Sequence, residues 1–420
     1  MNNPEKYSAV VLGGGIAGIS AALEMARLGL TVALVEKTPF FGGRAARLCC
    51  KATDVCQQCG ACLAADRLKA LFQEPGITLF PHTELTQCSG DPGLFRLTLK
   101  QQPQVIDPNR CVNCGLCAEE CPAFSQGAII TTAITQNHPR YAVVPAHCLY
   151  FKDGSCQVCQ RICPPTARAV DLARPEQTME LEAEAVVVAT GYQPADPKTR
   201  PHYSYGRIPN VITGFELEEM LRNGRGVRRP GDAAPVRRVA FIQCVGSRDQ
   251  DRPYCSQVCC AYTLRLGRLL QHRLPEAEIS TFYMDLQNVG RNSPGFHDQA
   301  RREIRELRAL PGELHRNPDG AVSLRYLSEE AGRAESAAFD LVVLAVGIGP
   351  GADNRELAAL LQTDLSTAGF FQAADPKHRN LTSQPGLFLA GTAEGPKDIA
   401  GCIAQALATA RQVSNYLREK

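Results

Sequence analysis

"YSAVVLGGGIAGISAALEMARLGLTVALVEK", residues 7–37, decides the fold. An apolar run leads into Gly13, Gly15 and Gly18 at G-x-G-x-x-G spacing, followed by a helix-period segment and a second apolar run. The pattern predicts strand, tight turn, helix and strand. Such glycines permit the turn, the close approach of a pyrophosphate to the backbone, and close packing of helix on strand. The helix start, at Ile16 and Ala17, offers unpaired N–H groups and a favourable dipole for phosphate. Glu36, followed by Lys37, closes the second strand where a carboxylate accepts hydrogen bonds from an adenosine ribose. The unit predicts a bound dinucleotide.

At 420 residues the chain has room for about three domains. Its 45 Lys and Arg against 43 Asp and Glu give no electrostatic case for a nucleic-acid partner or a membrane surface. The longest apolar stretches fall well short of the roughly 18 residues that span a bilayer. A soluble cytoplasmic protein is expected. The outlier is cysteine, with 19 in the chain, which in a large protein without a secretion signal points to metal ligands or redox groups.

Cys111, Cys114, Cys117 and Cys121 with Pro122 match the bacterial ferredoxin run C-x2-C-x2-C-x3-C-P. Cys148, Cys156, Cys159 and Cys163 with Pro164 repeat it with a longer first gap. In two-cluster ferredoxins the fourth cysteine of each run serves the other cluster. One [4Fe-4S] cube is therefore expected on Cys111, Cys114, Cys117 and Cys163, and a second on Cys148, Cys156, Cys159 and Cys121. Zinc would favour separated cysteine pairs instead.

A third set lies in "LCCKATDVCQQCGACL" (48–63), where Cys56, Cys59 and Cys62 repeat the two-residue gaps and either Cys50 or Cys49 supplies a fourth thiolate. A cluster fits this spacing better than its rival, a redox-active disulfide. A fourth set, Cys244, Cys255, Cys259 and Cys260 in "FIQCVGSRDQDRPYCSQVCC" (241–260), is undecided by spacing alone, since buried cysteine often acts as a small hydrophobe. It stands where a pyridine-nucleotide domain would carry its own glycine fingerprint, and only Gly246 is present. Ordinary NAD(P)H binding is not expected. Cys88 and Cys402 match no set and read as ordinary thiols.

Three further stretches resemble two-dinucleotide-domain flavoproteins and favour FAD. "FFGGRAA" (40–46) places Gly43 and Arg44 near the pyrophosphate, and "AEAVVVATGYQP" (183–194) carries Ala189, Thr190 and Gly191 at a strand end. "GLFLAGTAEGPKDIAGCIAQALATA" (386–410) resembles the closing strand and helix, with Gly391, Thr392, Asp398 and Ile399 facing the flavin. Thr392 stands where many such proteins have an Asp on the ribityl chain. Lys397 and Asp398 read equally as helix-start charges, the alternative placing Lys397 beside the flavin as a catalytic group.

The expected architecture is α/β, a thioredoxin-reductase-like two-dinucleotide-binding-domain flavoprotein with an inserted 2[4Fe-4S] ferredoxin-like domain. The FAD domain takes residues 1–105, 173–204 and 346–420, the insertion 106–172, and a second Rossmann-like domain 205–345. "GGGIAG", "EKTPFFGGRAA", the ferredoxin runs, "FIQCVGSRDQDRPYCSQVCCAYTLRLGRLL" and "LFLAGTAEGPKDI" together resemble the iron-sulfur flavoprotein component of heterodisulfide reductase, its A subunit. The A subunit of the quinone-interacting membrane-associated oxidoreductase is a related family member. The resemblance implies a fourth [4Fe-4S] cluster on Cys244, Cys255, Cys259 and Cys260. It also implies an electron-transferring oxidoreductase component, with flavin bifurcation or confurcation as the family's chemistry. The implied partners are B-like and C-like subunits, an electron-input protein and a second copy within the complex, with no membrane span. Longer methanogen members carry additional N-terminal and C-terminal cluster domains. A free-standing NAD(P)H-dependent disulfide reductase, using residues 49–62 as its dithiol, and a non-catalytic scaffold are the alternatives.

Overall fold

The computed structural model describes residues 4–132, 141–222, 224, 226–287 and 293–419. The opening stretch forms β1 (Glu5–Leu12), α1 (Ile16–Arg27) and β2 (Val32–Val35), as its periodicity predicts. β1 lies between β2 and the long β8 (Gln177–Val188), parallel to both. β3 (Ile77–Phe80) continues the sheet beyond β2. On the other side β5 (Leu94–Gln101) pairs antiparallel with the first half of β8 and carries β4 (Thr83–Asp91), while β19 (Leu387–Leu389) pairs parallel with the last residues of β8.

Val10, Val11 and Val186–Val188 are buried on both faces, which accounts for their near-continuous apolar runs. α1 and α10 (Ile399–Arg418) cover one face, with Ile19, Ala22, Ala406, Ala410 and Val413 in a single core. α2 (Ala61–Leu71) adds Leu68 and Leu71 to that core. α9 (Asn354–Leu360) packs Ala358 into the core beneath the other face.

Between β5 and β8 the chain builds a small unit with its own core, which includes Val105, Ile129, Val143 and Leu172. It contains α3 (Leu116–Glu119), β6 (Ile129–Thr131), β7 (Tyr141–Val143), α4 (Leu149–Asp153) and α5 (Val158–Ile162). An Ile106 to Val170 bridge closes its base, so the unit leaves and rejoins the large sheet at neighbouring strands.

A second sheet is entirely parallel, in the order β10 (Val211–Thr213), β17 (Leu341–Val346), β11 (Arg238–Val245), β12 (Glu278–Tyr283), β13 (Arg305–Arg308). α6 (Gly214–Arg222), α7 (Cys259–Arg273) and α8 (Ser293–Ala300) lie on one face, and Leu217, Phe241, Leu264, Ala300 and Val343 share a core. The other face packs on an antiparallel sheet of β14 (Glu313–Arg316), β15 (Val322–Ser328) and β16 (Arg333–Phe339). β9 (Gln193–Pro194) and β18 (Ile348–Gly349) pair where the chain passes into and out of this half. Among the described residues, no helix is long and apolar enough to cross a membrane.

Candidate functional site

The glycines after β1 have separable duties. Gly13 has φ +109°, and its N–H donates to the Val35 carbonyl at 2.8 Å, bending the chain toward the second strand. A Cβ on Gly18 would overlap the Gly13 carbonyl oxygen, so only glycine lets α1 close onto the turn. A Cβ on Gly15 meets nothing within 4 Å, and neither does one on Gly191. These two positions face open space and mark a cradle. No side chain caps α1 and its first turn carries no acid, which leaves the N–H groups around Ile16 and Ala17 free for a phosphate. The Thr190 hydroxyl beside this cradle is buried and has no hydrogen-bond partner among the described residues. The site therefore fits a dinucleotide.

Glu36 has a role that its sequence position does not disclose. Its Oε2 accepts from Gly14 N at 2.7 Å, and Oε1 accepts from Thr38 N at 2.8 Å and Thr38 Oγ1 at 2.7 Å. It fixes the turn as well as facing the cradle. Burial raises its carboxyl pKa, with the Thr38 and Gly14 hydrogen bonds opposing. Lys37 turns to the surface, pairing with Asp353 at 2.7 Å. Gly42 N donates to Gly14 O at 2.7 Å, which seats Gly43 against Gly15. The Arg44 guanidinium reaches across to Tyr192 O at 3.0 Å and lies over the Tyr192 ring.

At the closing helix, Ala17 and Gly391 pack so tightly that a Cβ on Gly391 would collide with the Ala17 methyl. Thr392 is buried beside it, and Ala189, at the end of β8, is buried as well. Asp398 Oδ1 accepts from Gly401 N at 2.6 Å and caps α10, which begins at Ile399. Lys397 is mostly buried and paired with Glu394, which also binds Arg379.

The cysteines of the small unit line two cavities. One has Cys121, Cys148, Cys156 and Cys159 in its wall. The other has Cys111, Cys114, Cys117 and Cys163. Each cavity thus takes three cysteines from one run and the fourth from the other. Burial pushes the Cys117 thiol up to about 12 and Cys159 to about 11, with neighbouring cysteines adding in the same direction. Among the described residues, no three His, Cys, Asp or Glu side chains converge on a single-ion point. The sulfurs surround cavities instead. Four cysteines around one cavity suit a cationic iron core that offsets the repulsion among its thiolate ligands.

The third set repeats the local geometry of the first. In "CVNCGLC" Asn113 and Gly115 have φ +56° and +89°, and α3 begins at the next residue. In "CQQCGAC" Gln58 and Gly60 have φ +51° and +74°, and α2 begins at the next residue. Gln58 N donates to Cys56 Sγ at 3.4 Å. Cys50, Cys56 and Cys62 are exposed and Cys59 half-buried. Cys49 points the other way, into the core of the second half with Leu217 and Leu221, where burial pushes its thiol up to about 12.

The fourth set gathers at the C-terminal end of β11 and the start of α7. Cys244 has φ +59°, and Gln257, at φ +61°, donates its N–H to Cys255 Sγ at 3.3 Å. Burial pushes Cys259 up to about 12, with Cys260, Cys244 and Cys255 adding to it. Burial likewise takes Cys244 to about 11. Open parallel sheets bind dinucleotides at this edge. Here the edge is covered by the chain itself: Ser256 Oγ accepts from Ile348 N at 2.8 Å, and a Cβ on Gly347 would meet that hydroxyl at 2.8 Å.

Two groups escaped the sequence reading. Lys51 and Glu218 are each 1% exposed and form an ion pair between the third cysteine loop and α6. Arg265 and Arg268 of α7 hold the same loop at Gln57 and Gln58. Glu218 lies beside the apolar Leu217 and Leu221 of one helix stripe, a signal of burial that sequence offers without naming the partner.

A sequence family described as FAD dependent oxidoreductase matches residues 8–208. The iron-sulfur A subunit of a CoB–CoM heterodisulfide reductase of Methanopyrus kandleri is 35% identical over 97% of this chain and 64% of its own length. The A subunit of the H2:CoB–CoM heterodisulfide, ferredoxin reductase of Methanothermobacter thermautotrophicus is also 35% identical, over 97% of this chain and 63% of its own. The chain thus spans somewhat less than two thirds of these relatives. Thioredoxin reductase of Lactococcus lactis shares the fold at TM-score 0.55 and 15% identity, covering 99% of this chain and 100% of that one. Over 97% of its length the chain is a homologue of heterodisulfide reductase A subunits, built on a thioredoxin-reductase-like fold, with an FAD-dependent oxidoreductase domain matched at residues 8–208.

Proposed function

We propose that the chain is the electron-transferring FAD and iron-sulfur component of a heterodisulfide-reductase-like complex in the cytoplasm. The carrying observation is the second dinucleotide edge: the segment from Cys244 to Cys260 covers it, and its thiols gather where a nicotinamide nucleotide would lie. On this reading the chain receives electrons through clusters rather than as hydride.

FAD supplies the exchange between paired and single electrons, since flavin takes up two while each cube carries one. Gly13, Gly15, Gly18, Glu36, Gly43, Thr190, Gly191, Gly391 and Thr392 hold and orient it. Lys397, with Glu394, and the capped start of α10 at Asp398 and Ile399 set the charge beside it. Four [4Fe-4S] clusters are assigned: two in residues 106–172, one on Cys50, Cys56, Cys59 and Cys62, and one on Cys244, Cys255, Cys259 and Cys260. The burial of Cys49 in the other core supports Cys50 as the fourth ligand.

Partner proteins of the complex supply and remove the electrons. Val55 beside Cys56, Val112 beside Cys111 and Ile162 beside Cys163 are exposed apolar side chains at the rims of these sites, as a docked electron partner requires. The relatives' names carry ferredoxin and the CoB–CoM heterodisulfide, and redox partners of that class are assigned here.

The test is anaerobic purification, quantification of FAD and iron, and addition of NADH and NADPH separately while flavin absorbance is followed. Neither nucleotide should bleach the flavin, and dithionite should reduce both flavin and clusters. Rapid bleaching by either nucleotide overturns the reading in favour of a free-standing reductase.

A further inference from the structure

The loop Cys50 to Cys62 is gripped from the second half of the molecule. Arg265 Nε donates to Gln57 O at 2.9 Å and Nη2 to Gln58 O at 3.2 Å, the two carbonyls between Cys56 and Cys59. Arg268 Nη1 donates to Gln57 Oε1 at 2.6 Å, and Glu218 Oε2 accepts from Cys49 N at 2.7 Å.

These cations differ in one respect. Lys51 is paired with Glu218, and Arg268 with Glu303 at 3.0 Å. Arg265 is half-buried, its guanidinium lies 5.2 Å from the centre of the Phe296 ring, and it forms no ion pair among the described residues. A guanidinium taken partly out of water without a counter-charge is costly unless an anion stands nearby. Burial lowers its pKa, while Cys59, Asp398 and Cys56 oppose the shift.

We propose that Arg265 is a positioning residue for the Cys50, Cys56, Cys59 and Cys62 site, fixing the Gln57 and Gln58 peptides and placing a permanent positive charge beside the cluster. A cation held on the peptides between Cys56 and Cys59 favours the more negative, reduced state, so Arg265 raises this site's potential relative to the same loop without it. Arg265 lies six residues along α7 from Cys259, about 9 Å of helix rise. The residue that tunes the third site is thereby fixed on the same rigid rod as the fourth.

The inference rests on the third set holding a cluster, and the experiment separates the two ideas. In redox titrations of the whole chain followed by electron paramagnetic resonance, Cys59→Ala first identifies the signal belonging to this set. If Cys59→Ala removes no iron and no signal, the cluster reading fails irrespective of Arg265. Arg265→Gln should keep FAD and shift that one signal by about tenfold toward the oxidised state, about 59 mV for a one-electron couple. Arg265→Lys should keep the potential near its original value. An unshifted signal in Arg265→Gln, or an equal shift in Arg265→Lys, overturns the proposal. Should Arg265→Gln lose the cluster, the lysine variant decides: retention at the original potential supports the charge role, and loss there too overturns it.

Discussion

Breaking the buried pair between Lys51 and Glu218 should loosen the cysteine loop selectively. Glu218 does two things at once: Oε1 neutralises Lys51, and Oε2 accepts from Cys49 N at 2.7 Å. Lys51 Nζ also donates to Cys49 O at 2.9 Å and lies 5.5 Å from the centre of the Tyr262 ring. In Glu218→Leu the lysine keeps a carbonyl and an aromatic ring but no counter-charge, and one partner removed from a buried ion pair costs about 3–5 kcal/mol. The orphaned Cys49 N–H adds about 1–3 kcal/mol. Replacing both, as Lys51→Met with Glu218→Leu, removes the uncompensated charge and should recover most of the first loss. The chain has several cores, so a global denaturation curve would blur the effect. Hydrogen exchange read peptide by peptide is the proper assay. At about 1.4 kcal/mol per factor of ten, peptides covering residues 47–60 and α6 should exchange at least about a hundredfold faster in Glu218→Leu. β1 and α1 should be unchanged. If the double variant exchanges as fast as Glu218→Leu, the two charges are not coupled and the account of the pair fails.

Two further outcomes follow from the FAD cradle. Gly15→Val should leave the fold intact, because its side chain meets open space, yet lower FAD content at least about tenfold; Gly18→Ala should cost folding itself, because its Cβ overlaps the Gly13 carbonyl. FAD stoichiometry together with circular dichroism separates the two, and equal loss of fold in both would refute the division of roles. Glu36 carries a pH signature in FAD-free protein. Its folded pKa is raised above the ordinary 4.5 by burial, so the folded state holds a proton that the unfolded chain releases. Its contribution to stability is present below the ordinary carboxylate range and is lost as pH rises through the folded value. Glu36→Gln should flatten that decline in Tm with pH, and an unaltered profile would show that Glu36 does not set it.

The local rules of the chain were legible without a structure. β1, α1 and β2 follow from periodicity and glycine spacing, because a parallel strand buried on both faces and a phosphate-binding turn each require residues at fixed short intervals. The sharing of cysteines between the two ferredoxin runs was likewise implied by spacing, and the cavities of the small unit carry those two mixed quartets. Other features were not legible. Cys49 and Cys50 are adjacent and chemically identical, and which one faces solvent depends on the core that receives the other. Asp398 and Lys397 read equally as helix-start charges or flavin neighbours, and the capping hydrogen bond to Gly401 fixes only the first of these for Asp398.

By itself, then, the sequence determined the α/β class, the dinucleotide turn and the cysteine spacings proposed to carry iron, since each depends on a pattern repeated within a few residues. Only the tertiary structure decided that Glu218, 167 residues from Lys51, neutralises it, that Arg265 meets a loop 207 residues away, and that Ser256 covers the second nucleotide edge. Contacts of that separation leave no periodic trace in the chain. They arise when two halves with independent cores pack against each other, and burial then selects which charges must find each other.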